Sequence, residues 1–136
     1  MISGRCLCGS VTYRAASAPI AVRACWCRLC QYIGAGSGTV NACFVRDGFA
    51  IEGELGDHAS TADSGARMHR RFCRACGTHL FSEAEPRPHL IFVRVGTLDD
   101  PEAARPQMTI WTSQAPSWAC IAEDLPRVEA QPPPAG

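Results

Sequence analysis

The stretch CWCRLCQ, residues 25–31, places three cysteines within six positions and decides how the rest of the chain is interpreted. Two further clusters, in RCLCGS and FCRACGT, carry paired cysteines: Cys6, Cys8, Cys73 and Cys76. Two sulfurs separated by one or two residues in a tight turn can point at a common centre. Seven of the nine cysteines lie in these three clusters, and this grouping predicts metal binding.

Spacing alone permits two ways of combining the clusters. The first is an ordinary zinc ribbon: Cys27, Cys30, Cys73 and Cys76. The second joins the two turns that are followed by glycine: Cys6, Cys8, Cys73 and Cys76. We favour the second, because the two turns resemble each other and glycine supplies the backbone freedom that such a turn requires. It ties the N-terminus to the middle of the chain and leaves three thiols together on one loop.

The three thiols on that loop, Cys25, Cys27 and Cys30, are one ligand short of a closed tetrahedral zinc site. An open fourth position is what separates a catalytic zinc from a structural one, and a zinc held by three soft thiolates is suited to a small thiol substrate. The alternative is that a protein side chain closes the site and makes both zinc ions structural. The candidates for that fourth ligand are Cys43, His58, His69 and His79.

Composition and charge exclude several classes of protein. The 136 residues are 46% hydrophobic, which fits one globular domain with a modest core. Thirteen basic and thirteen acidic residues give a formal net charge of +0, and the arginines are scattered, so nucleic acid is not an expected partner. The sequence shows neither an apolar run of membrane-spanning length nor an export signal. We therefore expect a cytoplasmic protein, in a reducing compartment where clustered cysteines more often bind metal than form disulfides.

Short β-type runs separated by turn residues predict a mostly β fold: 10–14, 38–45, 48–55, 67–73, 78–83 and 89–98. Residues 90–95, LIFVRV, are nearly all apolar, as expected for a central strand covered on both faces. The patterns typical of helices cover only short segments. We predict one zinc-binding domain over residues 1–128, because many short strands leave a thin core that metal crosslinks can hold together. The proline-rich end, residues 129–136, is predicted to be an irregular tail.

The order and spacing of several motifs resemble the glutathione-dependent formaldehyde-activating family, also called centromere-protein-V-like. The matching motifs run from GRCLCGSVTY through CWCRLCQ, HRRFCRACGTHLF and VGTLDDP to APSW and DLP. The resemblance implies a β-tent of several small coiled antiparallel sheets with two zinc ions per chain. The structural zinc ion would be held by the glycine-followed turns: Cys6, Cys8, Cys73 and Cys76. The catalytic-type zinc ion would be held by the loop: Cys25, Cys27 and Cys30.

The activity implied by the resemblance is a carbon–sulfur lyase reaction, the reversible joining of formaldehyde and glutathione to S-(hydroxymethyl)glutathione. A glutathione-like thiol and an aldehyde are therefore the expected small-molecule partners. Some arginines could bind the carboxylates of such a peptide through the guanidinium fork: Arg28, Arg67, Arg70 and Arg71. His69 is a candidate proton shuttle. The alternative function is a non-catalytic two-zinc module that presents a surface to a protein partner.

Overall fold

Two β-sheets form the computed structural model, which describes residues 1–134 and residue 136. The smaller sheet has three antiparallel strands: β1 (Ile2–Arg5), β2 (Thr12–Ala15) and β5 (Phe49–Glu52). The larger sheet has seven strands: β3 (Ala21–Cys25), β4 (Thr39–Val45), β6 (Leu55–Thr61), β7 (Arg67–Cys73), β8 (His79–Ala84), β9 (Leu90–Arg94) and β10 (Met108–Ile110). Its spatial order is β10-β3-β4-β9-β8-β7-β6. The prediction of a mostly β fold with more than one sheet is confirmed.

Helices are short. The α-helix α1 (Arg28–Ile33) follows β3, and its N-cap is Cys27, whose sulfur accepts a hydrogen bond from the Cys30 backbone N–H at 3.3 Å. The 3₁₀ turns are single turns: Val95–Thr97, Pro101–Ala103 and Thr112–Gln114. Across the described residues, none of the helices has the length and apolar character needed to cross a membrane.

Strand β10 differs from the antiparallel arrangement that the resemblance implied, because it runs parallel to β3. The register pairs Met108 with Arg23 and Ile110 with Cys25. Three residues are too few to show a hydrophobic period, so the sequence gives no signal for this strand. The pairing of β10 with β3 places Ile110 beside Cys25, the first cysteine of the three-cysteine loop.

The predicted run 48–55 is two strands that belong to different sheets. It breaks at Gly53, which has φ +110° and whose added Cβ would lie 2.2 Å from the Ser10 carbonyl oxygen. Only glycine combines this left-handed backbone with so close an approach to another segment. The chain therefore leaves the smaller sheet after β5 and enters the larger one at β6.

The main hydrophobic core joins the two sheets through aromatic side chains. Tyr13 and Phe49 from the smaller sheet contact Phe44 and Phe81 from the larger sheet, with ring centroids 5.1–5.8 Å apart. All four side chains are buried. Because successive strand residues point to opposite faces, one face of the larger sheet covers this core and leaves the other face available for a cleft.

A close approach between β1 and β2 makes Gly4 sensitive to substitution. A Cβ at Gly4 would lie 2.2 Å from the Tyr13 hydroxyl oxygen and 2.4 Å from the Thr97 carbonyl oxygen, where Tyr13 and Thr97 also share a buried hydrogen bond of 2.7 Å. We expect Gly4→Ala to lower the free energy of unfolding by about 2 kcal/mol in chemical denaturation. The matched control is Gly96→Ala, since nothing lies within 4 Å of its Cβ position. Equal denaturation midpoints for the two variants would contradict this account.

The end of the chain returns to β10. The Thr109 backbone N–H donates to the Pro126 carbonyl at 2.9 Å, and the Val128 N–H donates to the Thr109 carbonyl at 3.0 Å. The Trp111 indole N–H donates to the Gln131 side-chain oxygen at 2.9 Å. Residues 129–134 and 136 contain no helix or strand, and Ala135 of the predicted tail 129–136 lies outside the described residues.

Candidate metal centres

Four cysteine sulfurs meet where the β1–β2 turn contacts the β7–β8 turn: Cys6, Cys8, Cys73 and Cys76. These sulfurs all lie within 4.8 Å of one another. The Sγ–Sγ distance is 3.6 Å between Cys6 and Cys8 and 3.8 Å between Cys8 and Cys73. Sulfurs about 2.3 Å from a central zinc ion form a tetrahedron with edges of about 3.8 Å. This donor set therefore fits a tetrahedral metal ion.

Backbone and hydroxyl groups are directed at these sulfurs. The Val11 N–H donates to Cys6 Sγ at 3.3 Å, and the Cys76 N–H donates to Cys73 Sγ at 3.4 Å. The Thr78 hydroxyl lies 3.1 Å from Cys76 Sγ. Hydrogen bonds from Thr78 lower the pKa of the Cys76 thiol to about 5. Such donors stabilise the thiolate, which is the form that binds metal.

The two turns of this centre share one backbone geometry. Gly9 follows Cys8 with φ +82°, and Gly77 follows Cys76 with φ +77°. The Gly9 N–H donates to the Cys6 carbonyl at 3.1 Å, and the Gly77 N–H donates to the Cys73 carbonyl at 2.8 Å. Both glycines occupy a left-handed conformation that side chains rarely adopt, so each turn depends on its glycine.

The remaining clustered cysteines converge at the junction of β3 and α1. Cys25 ends β3, Cys27 caps α1 and Cys30 lies in its first turn. All three are buried, and their sulfurs lie within 4.8 Å of one another. Within the described residues, no histidine, acidic side chain or further cysteine joins this group at that spacing. Three converging sulfurs fit a zinc ion with one coordination position left over.

The three thiols compete for protons because they contact one another. Hydrogen bonds from Cys25 and Cys27 lower the pKa of the Cys30 thiol to about 2. The same contacts with Cys27 and Cys30 raise the pKa of the Cys25 thiol. These contacts favour the thiolate form of Cys30, and the thiolate is the form that binds metal.

Two glutamines fix the loop that carries these sulfurs. The buried Gln31 side chain donates to the Trp26 carbonyl at 2.8 Å and to the Gln114 carbonyl at 3.0 Å. The Gln114 side-chain oxygen accepts the Arg28 N–H at 2.6 Å. These bonds connect the start of α1 to the segment after β10, so the three sulfurs are positioned by the fold.

The side chains considered as a closing fourth ligand lie elsewhere: Cys43, His58, His69 and His79. Cys43 lies on β4 opposite Ala21, four residues before Cys25, or about 13 Å along the strand. His79 packs against the Phe72 ring, with centroids 5.6 Å apart. The zinc-ribbon combination is also absent from the described residues, because Cys27 and Cys30 group with Cys25 and not with the β7–β8 turn.

A cleft of about 140 Å³ opens beside the three-cysteine group on the face of the larger sheet that points away from the core. Alternate residues of neighbouring strands form its floor, because residues two apart point to the same face. These floor residues are Arg23, Cys25, Asn41, Cys43, Met68, Arg70, Ser82, Ala84, Phe92 and Arg94. The intervening residues, such as Ala42 and Val93, belong to the core.

Arginines line this cleft, at Arg23, Arg70, Arg87 and Arg94. Of the arginines suggested from the sequence, Arg70 lies there, whereas Arg28 covers the Tyr32 ring at 5.2 Å and Arg71 faces Glu83 at 3.4 Å. Arg23 could have been predicted from the sequence, because it lies two residues before Cys25 and so points to the same face of the strand. Arg94 could not have been predicted, because its position beside the cleft depends on the pairing of β9 with β4.

Trp111 forms part of the cleft wall in an unusual backbone conformation. Its φ and ψ are 57° and 37°, in the left-handed region that a bulky residue rarely adopts. Hydrogen bonding of the indole to Gln131 holds the side chain in place. Backbone strain that the surroundings maintain tends to occur at functional sites, and here it fixes an aromatic wall beside the sulfurs.

His69 is not among the residues that line the cleft, and it bridges two carboxylates on the exposed side of β7. Its Nδ1 lies 2.8 Å from Asp57 and its Nε2 lies 2.7 Å from Glu85. The hydrogen bond to Asp57, followed by that to Glu85, raises the pKa of His69 above its ordinary value. The stabilisation that His69 provides is therefore complete below about pH 6.5 and is lost as the pH rises through the higher folded-state pKa.

We expect an NMR titration of His69 to have its midpoint above about 6.5. Asp57→Asn should move that midpoint down, because it removes the carboxylate whose hydrogen bond raises the pKa of His69 most. A His69 midpoint that is the same in both proteins would show that the carboxylates do not control its protonation.

Taken together, the fold and the sulfur geometry define a class of protein: a small, mostly β domain with two cysteine clusters that could each hold a metal ion. The chain belongs to the glutathione-dependent formaldehyde-activating enzyme family, whose model matches residues 1–114. Both cysteine clusters and most of the cleft lie within those residues. The predicted family membership is confirmed.

A solved structure supports the fold. The crystal structure of a Rhodobacter sphaeroides protein, determined as a structural-genomics target, is similar over 71% of this chain and 87% of its own chain. The TM-score is 0.54 and the sequence identity is 21%. At this identity the similarity shows a shared fold.

Proposed function

We propose that this protein is a zinc-dependent carbon–sulfur lyase that acts on the adduct of a thiol and an aldehyde, with glutathione and formaldehyde as the substrates that its family suggests. The observation that carries the proposal is the three-cysteine group, whose buried sulfurs converge beside a cleft and have no fourth protein ligand among the described residues. A cleft beside an incomplete coordination shell is the arrangement that a catalytic metal requires.

Two zinc ions are proposed per chain. Cys6, Cys8, Cys73 and Cys76 would hold a structural zinc, because four sulfurs at tetrahedral spacing complete its shell. Cys25, Cys27 and Cys30 would hold the catalytic-type zinc. When bound there, that zinc ion supplies Lewis acidity, which lowers the pKa of a thiol and polarises a carbonyl group.

The side chains of the cleft would support addition of the thiol sulfur to the aldehyde carbon. In that step a carbon–sulfur bond forms, the carbonyl π electrons move to oxygen, and that oxygen ends with the proton that the thiol gave up. The reverse step breaks the carbon–sulfur bond. Arg70 and Arg94 provide positive charge that favours the thiolate and the developing oxygen anion. Ile110, Trp111 and Phe92 provide apolar walls that exclude water from the reacting atoms.

The remaining features of the proposal follow from the same chemistry. The proposed setting is cytoplasmic, because a reducing compartment keeps clustered thiols available to metal. We assign the zinc-binding domain to residues 1–128 and the tail to residues 129–136. The partners would be small molecules, with neither nucleic acid nor membrane involved.

The test is a titration of glutathione into the zinc-loaded protein while zinc K-edge absorption reports the coordination shell. We expect two zinc ions per chain, and a non-sulfur ligand on one of them should be replaced by sulfur as glutathione binds. Formation of S-(hydroxymethyl)glutathione would then be measured after formaldehyde is added. If neither zinc coordination shell changes when glutathione is added, the proposal is wrong and a non-catalytic two-zinc module is favoured.

A further inference from the structure

The cleft has an excess of positive charge. It is lined by four arginines and one acidic residue, Asp63. With a zinc ion bound, the three thiolates carry a net charge of −1, and Asp63 adds another −1. Two guanidinium charges are therefore left without a counter-charge among the side chains that line the cleft. An anionic group on a ligand would supply it.

Arg94 is the most informative of these arginines because it is buried and incompletely paired. Only 9% of its surface is exposed, and one of its terminal nitrogens donates to the Asn41 side-chain oxygen at 2.5 Å. Its Nε is buried, and no hydrogen-bond acceptor contacts it among the described residues. Burying a guanidinium costs free energy unless its donors and its charge are satisfied. An anionic ligand that accepts a hydrogen bond from the Arg94 Nε would therefore be stabilised in this cleft.

Arg70 lines the same cleft from β7, which is two strands away from β9 in the larger sheet. It is also 9% exposed, and its one recorded hydrogen bond within the described residues goes from a terminal nitrogen to the Ser60 hydroxyl at 2.7 Å. Neither Arg70 nor Arg94 makes an ion pair in the described part of the chain, whereas the neighbouring Arg71 faces Glu83. Among the described residues the two buried guanidiniums therefore pair with no carboxylate, and only the thiols of the three-cysteine group lie near Arg94 as acidic groups, which leaves room for an anionic ligand.

The strand register sets the distance between these arginines and the sulfurs. Cys25 pairs with Thr39 on β4, and Arg94 pairs with Asn41, two residues further along the same strand. Two residues correspond to about 7 Å along the strand, and β9 lies two strands from β3, about 10 Å across the sheet, so the Cα atoms of Cys25 and Arg94 are about 12 Å apart. The Arg94 side chain spans part of this distance, so it could reach an anionic group a few bonds from a ligand sulfur held at the three-cysteine group.

The size of the cleft limits the part of a ligand that it can enclose. Its volume of about 140 Å³ is similar to that of a cavity that accepts benzene, a molecule with six non-hydrogen atoms. A thiol with a carboxylate two carbons away has the same number of non-hydrogen atoms. A larger thiol would place its sulfur and a carboxylate inside in the same way only where the two are equally close, whereas the nearer carboxylate of glutathione is separated from the sulfur by several more bonds.

From these observations we propose that the cleft selects thiols that carry a carboxylate close to the sulfur, and that Arg70 and Arg94 bind this carboxylate. This rests on the proposed function, because it assumes that the sulfur of the same ligand reaches the three-cysteine group. Arg23 and Arg87 line the cleft beside Cys43 and extend the positive surface that guides the anion.

The experiment compares 3-mercaptopropionate with 3-mercaptopropionamide, which differ in charge and hardly in shape. Zinc-loaded protein is titrated with each by calorimetry, and cobalt-substituted protein reports by absorption whether the sulfur reaches the metal. We expect the carboxylate to bind about tenfold tighter or more, because a buried charge-assisted pair is lost in the amide. Arg94→Gln should bring the two affinities within about twofold of each other, because the carboxylate then loses its charged partner.

Two controls keep the result interpretable. Arg28→Gln removes an arginine that lies outside the cleft and should preserve the full preference for the carboxylate. Arg94→Lys keeps the charge but loses the planar fork, and it should retain part of the preference. If Arg94→Gln does not fold, the comparison of the two thiols on the unaltered protein still decides the question.

The outcomes separate this inference from the proposed function. Equal affinities for the two thiols, with the cobalt spectrum responding to both, would overturn the carboxylate site and leave the lyase proposal standing. A preference for the carboxylate without any cobalt response would support the carboxylate site and count against the lyase proposal. If neither thiol binds, the carboxylate site is wrong, and the glutathione titration described above decides the lyase proposal.

Discussion

The Cys73→Ser variant should lose one metal ion and its cooperative fold. Cys73 is 1% exposed and belongs both to the four-cysteine group and to the main hydrophobic core. The group joins the β1–β2 turn of the smaller sheet to the β7–β8 turn of the larger one, so its loss releases the contact between the sheets at that end. Binding of structural zinc contributes about 10–16 kcal/mol in small domains, which matches or exceeds the 5–15 kcal/mol stability of a typical domain.

The measurement is metal content per chain, combined with the dispersion of a proton–nitrogen NMR spectrum. We expect one zinc ion or fewer and collapsed dispersion for Cys73→Ser. Cys120→Ser is the matched control, because Cys120 is exposed and belongs to neither cluster, and it should keep both metals and a native spectrum. A folded Cys73→Ser protein with one zinc ion would show that the four-cysteine group does not hold the fold together.

The fold class could be predicted because two local signals are strong in this chain. The run 38–45 matches β4 closely, because its alternation and its β-branched residues act within one strand, and the run 67–73 coincides with β7. The break at Gly53 was not predicted, because it depends on a contact with Ser10 that lies far away in sequence. Strand β10 was also missed, since a parallel partner stabilises three residues that have no pattern of their own.

The cysteine groups were more predictable than the cleft. Cysteines one or two residues apart already have the spacing of metal ligands, so sequence arithmetic could propose which of them meet. The arginines of the cleft come from four places in the chain: strand register brings together Arg23, Arg70 and Arg94, and the turn between β8 and β9 adds Arg87. One residue of register shift would turn Arg94 to the other face of the sheet, and this kind of information is absent from local sequence.

The Cys27→Ser variant should remain folded and lose the second metal ion together with the activity. Serine is a preferred N-cap residue, so the substitution preserves the hydrogen bond that begins α1. The three-cysteine group lies in a separate small hydrophobic cluster with Ile110, apart from the core that joins the sheets. We therefore expect one zinc ion per chain and a near-native spectrum. The rate of thiol–aldehyde adduct formation should fall at least about a hundredfold, as expected when a catalytic metal loses a ligand.

The contrast between the two cysteine variants is what distinguishes a catalytic-type centre from a second structural one. Both groups present sulfurs at ligand spacing, so their geometry predicts metal loss in either case. They differ in what the metal connects: the four-cysteine group links the two sheets, whereas the three-cysteine group links the end of β3 to the start of α1. Global unfolding of Cys27→Ser would mean that both metals serve the fold, and the proposed lyase would then lose its active centre. A folded, single-zinc, inactive Cys27→Ser protein would leave the cleft beside these sulfurs as the site of chemistry.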